Sequence, residues 1–188
     1  LTQYMTHPEE WTYHIPEGMT TMEGALVEPA AVGMHAAVLG GAQPGKSIVI
    51  LGGGTIGLMV LQACISLGAT DITVVDVIEK RLELAKKLGA ARVINGKEED
   101  TVAVLRSEEM YGDHGVDLVF EAAGAVFTAQ QAVQIVSRGG KIMMVGTQSK
   151  PVPIDFLKIN REVTIQTSFR YCNNFPQTIE AISSGRFN

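Results

Sequence analysis

The sequence predicts an α/β fold, an open and doubly wound parallel sheet of about six strands with helices on both faces. Three observations lead to this fold class. Apolar strand-like segments alternate with helical segments along the chain, a glycine-rich turn follows the first of these strands, and an acidic residue closes the second. No internal repeat or low-complexity linker interrupts the alternation, so we expect the strand order 3-2-1-4-5-6.

The glycine-rich turn has the spacing G-x-G-x-x-G, formed by Gly52, Gly54 and Gly57. The first glycine permits a tight turn from strand to helix, the second lets the backbone approach a pyrophosphate, and the third lets the helix pack closely on the strand. The helix begins near Thr55 and Ile56, and its N-terminus attracts the anion. The turn is therefore predicted to bind the phosphates of a dinucleotide in a Rossmann-type fold.

The second strand, Asp71-Ile-Thr-Val-Val-Asp76, ends on a carboxylate nineteen residues beyond Gly57. An acid at this spacing can bond both ribose hydroxyls of adenosine and repels the 2′-phosphate of NADP, which favours NAD as the cofactor. The alternative is that the glycines only shape a turn and Asp76 caps the strand end. Arg81 is either a contact to the adenine or a phosphate, or a solvated helix charge.

The later segments continue the alternation. In order, we expect a helix over 79–88, a strand over 92–94, a polar helix over about 98–110, a buried strand within 115–124, a helix over about 127–136 ended by Gly139 and Gly140, a strand over 141–146, a strand over 163–168 and a helix over about 176–184.

Ligands of such sheets bind outside the carboxyl ends of the strands, at the point where the strand order reverses. The ends of the later strands therefore supply further candidate cofactor contacts. These are Ala123, Gly124, Val145, Gly146, Thr147, Ser168, Phe169 and Arg170.

Composition excludes several classes of partner. Twenty acidic residues against fifteen basic ones give a net charge of −5, with no basic run, which argues against nucleic acid and anionic membranes as partners. The 188 residues can bury one core, and no apolar run is long enough to span a bilayer. Cys64 and Cys172 lie far apart and outside any metal-ligand spacing, which favours a reduced, cytoplasmic setting.

Two flanking segments add a family resemblance. The segment Gly24-Ala-Leu-Val-Glu-Pro-Ala-Ala-Val-Gly-Met-His-Ala36, the glycine turn and the segment Phe169-Arg-Tyr-Cys-Asn-Asn-Phe-Pro176 together resemble the zinc-dependent medium-chain dehydrogenase/reductase family. The resemblance is strongest to its sorbitol (polyol) dehydrogenase branch and covers almost the whole chain. The stretch Phe169-Arg-Tyr-Cys-Asn173 is the sharpest part of it.

The resemblance implies roles for individual residues. Glu28 would be the catalytic carboxylate near the zinc and the substrate, and a candidate zinc ligand. Arg170 and Tyr171 would contact the substrate or the nicotinamide end, and Val32 would lie against the nicotinamide.

The residues themselves support the role of Glu28 in part, because it interrupts an apolar helical run and a buried carboxylate needs a cation or hydrogen-bond donors. The alternative is a helix-start carboxylate beside Pro29. The sequence around His35 indicates an ordinary packed side chain. The remaining histidines are expected in loops or at the surface; they are His7, His14 and His114.

The resemblance also implies that the chain is the cofactor-binding portion of a longer enzyme. Residues 1–27 would be the tail of a GroES-like catalytic domain, 28–168 the NAD-binding domain, and 169–188 the start of a return to the catalytic domain. A catalytic zinc needs three protein ligands and an open position, so Glu28 alone cannot hold it and this chain alone is expected to be inactive.

In the intact enzyme, zinc would act as a Lewis acid while a polyol is oxidised to a ketose and hydride passes to NAD. The expected partners are a small polyol and other copies of the chain, in a homodimer or homotetramer. Four alternatives stay open: a related zinc enzyme for threonine, butanediol or a sugar-alcohol phosphate; a zinc-free quinone or enoyl reductase; a non-catalytic NAD-sensing module; and a methyltransferase that binds S-adenosylmethionine.

Overall fold

The computed structural model describes residues 2–159 and 161–187. Its strands are β1 (Ser47–Leu51), β2 (Asp71–Asp76), β3 (Arg92–Asn95), β4 (Val116–Glu121), β5 (Val136–Met144) and β6 (Thr164–Thr167). In this part of the chain they form one sheet in the order β3-β2-β1-β4-β5-β6, and every neighbouring pair is parallel. The predicted fold class and strand order are confirmed.

The helices connect the strands in the alternation that the sequence predicts. They are α1 (Thr21–Gly40), α2 (Thr55–Ser66), α3 (Glu79–Lys87), α4 (Thr101–Leu105), α5 (Val126–Ile135), α6 (Phe156–Ile159) and α7 (Phe175–Ser183), preceded by a 3-10 turn at Glu9–Trp11. The short helix α6 has no counterpart in the sequence prediction.

Two apolar clusters lie on opposite faces of the sheet. Ile48 and Ile50 belong to one cluster, whereas Val49 and Leu51 belong to the other, because successive side chains of a strand point to opposite faces. The first cluster includes residues of α1, α2, α3 and α7, and the second includes residues of α4, α5 and α6. The carboxyl ends of the strands stay in register, since Glu121 pairs with Leu51 on one side and with Met144 on the other.

Helix α1 begins earlier than the alternative interpretation of Glu28, as a helix-start carboxylate, requires. The Thr20 side chain accepts a hydrogen bond from the Glu23 N–H, and the Glu23 carboxylate accepts one from the Thr20 N–H over 2.6 Å. This capping box fixes the start of the helix at Thr21. Glu28 and Pro29 therefore lie inside α1, and the interpretation of Glu28 as a helix-start carboxylate is wrong.

The polar helix expected over 98–110 is reduced to α4. The Asp100 carboxylate accepts hydrogen bonds from the N–H groups of Val102 and Ala103, which starts the helix at Thr101. At the other end, the Ser107 hydroxyl donates to the Val104 carbonyl over 2.8 Å and competes with continued helix.

The strand expected from residue 141 begins at Val136, directly after α5. Val136 is buried and pairs with Val116, and the ladder shifts before it resumes at Leu118 and Lys141. Gly139 and Gly140 consequently lie within β5 and do not end α5. The β-branched Val136 suits this buried strand position better than a helix end.

Helix α1 runs through residues 27 and 28 without a break and packs closely on α2. A side chain added at Gly33 would collide with the Met59 backbone, so the two helix backbones are in direct contact. The predicted domain boundaries at 27/28 and 168/169 stay a prediction. None of the described helices combines the length and the apolar character needed to cross a bilayer.

Candidate functional site

The glycine turn lies at the carboxyl end of β1, where the strand order reverses between β1 and β4. Gly52 has a φ of 109°, and a Cβ there would lie 2.8 Å from the Ala123 nitrogen. At Gly57 a Cβ would overlap the Gly52 carbonyl oxygen, so α2 packs on the turn as closely as the backbone allows. Both positions therefore require glycine for reasons internal to the fold.

At Gly54, by contrast, the fold itself leaves room for a side chain. A Cβ added there would have no heavy atom within 4 Å, so the space in front of Gly54 is open. Gly54 is also the N-cap of α2, and no side chain in the described part of the chain caps this helix. Its first N–H groups, next to Thr55 and Ile56, are therefore oriented to receive an anion.

Asp76 closes β2 beside this turn and is 8% exposed. Its Oδ1 accepts hydrogen bonds from the N–H groups of Val77 and Ile78, at 2.8 and 2.9 Å. Its Oδ2 accepts one from the Gly53 N–H over 2.7 Å and lies 3.4 Å from Arg81 Nη1. Asp76 therefore both shapes the strand end and presents a carboxylate at the turn.

A cavity of about 440 Å³ opens between Asp76 and the segment that follows β4. This volume lies within the usual range for small-molecule sites, about 300–1,000 Å³. Its lining residues are Gly52, Gly54, Val75, Asp76, Val77, Arg81, Gly96, Thr101, Ala122, Ala123, Ala125, Phe127, Thr128 and Gln131. A cavity of about 560 Å³ at the opposite edge of the sheet contains none of the predicted site residues.

The other half of the carboxyl edge is formed by the segments after β4, β5 and β6. The β4 and β5 segments touch at two glycines, since a Cβ on Gly146 would lie 2.7 Å from the Gly124 Cα. Val145 and Gly146 are half-buried and Thr147 is exposed. The structure thus brings these residues to the same edge as the glycine turn.

Ser168 to Tyr171 extend this edge beyond β6. Ser168 is buried, and Phe169 is 79% exposed with the Arg170 guanidinium 5.2 Å from its ring centroid. Arg170 adopts a φ of 52°, which is unusual for a side chain of its size. Tyr171 packs edge-on against Phe175, with ring centroids 4.9 Å apart. Arg170 is thus paired with an aromatic ring, whereas Tyr171 is packed at the start of α7.

Polar atoms without partners lie at the same edge. Among the described residues, the buried side-chain oxygens or nitrogens without a hydrogen bond are Thr101 Oγ1, Gln148 Oε1 and Ser168 Oγ. Buried polar groups are normally satisfied. Thr101 lines the 440 Å³ cavity, and Ser168 and Gln148 follow β6 and β5. The open space at Gly54 and these unpaired groups fit a polar dinucleotide.

Glu28 does not have the surroundings expected of a buried carboxylate. It lies in the middle of α1 and is exposed, so the inference that burial makes it costly is wrong for this chain. The described residues contain no group of three or more His, Cys, Asp and Glu side chains that could hold a metal ion. A catalytic zinc needs three protein ligands, and Glu28 by itself does not provide a zinc site.

The histidines follow their predicted placement. His7, His14 and His114 are exposed, and His35 is half-buried in α1.

Glu121, which sequence analysis did not single out, is completely buried at the end of β4. Its Oε1 accepts hydrogen bonds from the N–H groups of Ala123 and Gly124 and from the Thr128 hydroxyl, at 2.7 to 3.0 Å. Its Oε2 accepts one from Gln148 Nε2 over 2.8 Å. The sequence contains a signal for this role, because Glu121 is a carboxylate that ends an apolar strand directly before the small residues 122–124.

Comparisons with known proteins agree with this geometry. Residues 55–184 match the family model described as zinc-binding dehydrogenase. YdjJ of Escherichia coli (strain K12), an uncharacterized zinc-type alcohol dehydrogenase-like protein, is 63% identical over 100% of this chain and 54% of its own length. The sorbitol dehydrogenase of Bacillus subtilis (strain 168) is 39% identical over 98% of this chain and 52% of its own length.

A solved structure supports the same assignment. A zinc-binding dehydrogenase from Sinorhizobium meliloti 1021, bound to NADP, is 27% identical and superposes with a TM-score of 0.91 over 96% of this chain and 54% of that chain. The chain belongs to the zinc-binding dehydrogenase family, and the resemblance found in its sequence is confirmed. NAD and zinc, the predicted cofactors, are typical of this family. The chain spans about half the length of the curated relatives it matches.

Proposed function

We propose that this chain is the NAD-binding part of a zinc-dependent polyol dehydrogenase, which oxidises a secondary alcohol to a ketone with transfer of hydride to NAD. The observation that carries the proposal is the cavity between Gly54 and Asp76. It joins an open phosphate-binding turn to a carboxylate at the ribose position.

The preference for NAD rests on Asp76. A carboxylate fixed by three backbone N–H groups cannot easily turn away from the ribose, and it repels the 2′-phosphate of NADP. A preference for NADP is the competing outcome, because a relative with 27% identity is bound to NADP. Arg81 stands 3.4 Å from Asp76 and is the cation that would favour NADP if Asp76 were removed.

The residues of this chain position the cofactor. The turn from Gly52 to Gly57 binds the pyrophosphate, Asp76 binds the adenosine ribose, and the segments after β4, β5 and β6 hold the nicotinamide half. Bound NAD supplies the hydride acceptor. Arg170 and Tyr171 bind substrate hydroxyls, which favours a polyol over a simple alcohol.

The polyol class rests on sequence similarity to sorbitol dehydrogenase, 39% identical, and on the segment from Phe169 to Asn173. Strand β6 lies at the edge of the sheet and could pair with β6 of a second copy of the chain. The proposal therefore includes assembly into a homodimer or homotetramer. Two free cysteines accord with a cytoplasmic setting.

The test uses the longer zinc-dependent enzyme of which this chain is proposed to be the NAD-binding part. Binding of NAD, NADH and NADP is measured by calorimetry, and initial rates are then measured with sorbitol, xylitol, 2,3-butanediol, threonine and ethanol. We expect binding of NAD to exceed that of NADP, and the highest kcat/KM with a polyol. A higher kcat/KM with butanediol or threonine would reject the polyol class, and absent dinucleotide binding would reject the function altogether.

A further inference from the structure

The carboxylate of Glu121 connects the two segments that meet at the nicotinamide half of the carboxyl edge. Its side chain accepts from Ala123 and Gly124 in the β4 segment and from Gln148 in the β5 segment. Its main-chain carbonyl accepts from the N–H groups of Val145 and Gly146, both over 2.8 Å. One residue therefore fixes both segments.

The site is built for a carboxylate in particular. A carboxylate offers about four acceptor positions and no donor, and four donors surround Glu121. None of the ion pairs among the described residues includes it. A buried charge without a cation needs full hydrogen bonding, which these donors provide. A glutamine in place of Glu121 would put a donor against Gln148 Nε2 until the Gln148 amide rotates.

The two segments have no spare space between them. A Cβ on Gly124 would lie 2.7 Å from the Thr147 carbonyl oxygen, and a Cβ on Gly146 would lie 2.8 Å from Glu121 Oε2. The donors that Glu121 satisfies belong to the ligand edge, either in the two segments or at Thr128 in the first turn of α5. Loss of the carboxylate should therefore loosen this edge more than the core.

We propose that Glu121 is a positioning residue, which acts through Gln148 and the 123–124 and 145–146 backbone to hold the nicotinamide half of the cofactor in place. This inference rests on the proposed dinucleotide function. The cavity beside Asp76, which would receive the adenosine half, is lined by Ala123 and Thr128 but by no residue of the β5 segment. The link from Glu121 through Gln148 is therefore the one that should affect the nicotinamide half more than the adenosine half.

The structure also provides a test by exchange. Gln148 Oε1 is buried without a partner. In Glu121→Gln, rotation of the Gln148 amide would bring this oxygen to face the new side-chain donor. In Gln148→Glu, by contrast, two carboxylates would face each other. The double variant Glu121→Gln with Gln148→Glu restores one carboxylate facing one amide across the same gap.

The experiment compares the affinity for NADH with the affinity for ADP-ribose, which lacks nicotinamide. Both are measured for the protein without substitutions and for four variants: Glu121→Ala, Glu121→Gln, Gln148→Glu and the double variant that exchanges the two residues. Dissociation constants are measured by calorimetry, with circular dichroism to confirm folding. We expect Glu121→Ala and Gln148→Glu to lose at least about tenfold more affinity for NADH than for ADP-ribose, because buried donors or acceptors lose their partners. Glu121→Gln should be intermediate, and the exchanged pair should recover most of the loss.

Equal losses for the two ligands would reduce Glu121 to a general structural role and overturn the proposal. Failure of the exchanged pair to recover more affinity than Gln148→Glu would do the same. If Glu121→Ala does not fold, the NADH affinities of Gln148→Glu and of the exchanged pair decide whether Glu121 acts through Gln148. Wild-type protein that binds neither ligand would instead reject the dinucleotide function, and the inference with it.

Discussion

The Gly53 N–H donates a hydrogen bond to Asp76 Oδ2 over 2.7 Å, so the glycine turn and the acidic strand end are joined directly. The residue inside the G-x-G motif thus helps to orient the carboxylate for which we propose a role in cofactor choice. Turn and carboxylate form one unit, and changes to either should affect the other.

The first prediction concerns cofactor choice. Asp76→Ala should weaken NAD binding by roughly tenfold or more, because hydrogen bonds to a charged group contribute about 1.5–3 kcal/mol. NADP should lose less, so the ratio of the two dissociation constants narrows. Asp113→Ala removes the same charge from an exposed position and serves as the control. An unchanged ratio in Asp76→Ala would contradict the ribose assignment.

The second prediction concerns the phosphate site. Gly54→Val should abolish dinucleotide binding while the protein stays folded, because the branched side chain fills the open space in front of the turn. Calorimetric titration with NADH measures the loss, and circular dichroism checks the fold. A folded Gly54→Val variant with wild-type affinity would show that the pyrophosphate binds elsewhere.

The third prediction separates Gly57 from Gly54. Gly57→Ala should lower the free energy of unfolding by about 1–3 kcal/mol, because its methyl group meets the Gly52 carbonyl and forces α2 away from the turn. Gly54→Ala has room for its methyl group and is the matched control. Urea denaturation of both variants checks the difference, which should vanish if the close packing is unimportant.

The fourth prediction concerns the two thiols. Burial raises the pKa of the Cys64 thiol well above its usual range, so the thiolate is disfavoured, whereas Cys172 is exposed. One thiol should react with a disulfide reagent in the native protein at pH 8, and two after denaturation. Cys172→Ala should remove the native reaction. Two rapidly reacting native thiols would show that α2 opens readily.

The fifth prediction concerns activity. The 188-residue chain with NAD and zinc should show no polyol oxidation, since its described residues provide no three-ligand metal group. In a longer protein that oxidises polyols, Glu28→Ala should lower turnover far more than it weakens NAD binding. The test measures turnover rates and NAD dissociation constants for the wild-type protein and the Glu28→Ala variant under the same conditions. Normal turnover would remove Glu28 from the catalytic site.

The predictable part of this site depends on local spacing. Gly52, Gly54 and Gly57 lie within six residues, and Asp76 follows at a distance set by one helix and one strand. The start of α1 was also encoded locally, by Thr20 and Glu23, whereas the alternative interpretation of Glu28 placed a helix start beside Pro29.

Other features depend on contacts that spacing does not contain. Glu121 and Gln148 are 27 residues apart and meet because β4 and β5 are neighbours. The exposure of Glu28 likewise depends on what packs against α1, which a single sequence does not reveal. The extension of β5 back to Val136 follows from pairing with Val116.

The contact between Gly33 and the Met59 backbone leaves no space for a side chain between α1 and α2. Helix α1 is 20 residues long and therefore reaches about 30 Å. Helix α2 begins at the glycine turn, four residues before Met59, and Glu28 lies in α1 five residues before Gly33. Any residue larger than glycine at position 33 would force the two helix backbones apart, and because α2 begins at the glycine turn, such a change in helix packing would also alter the geometry of that turn.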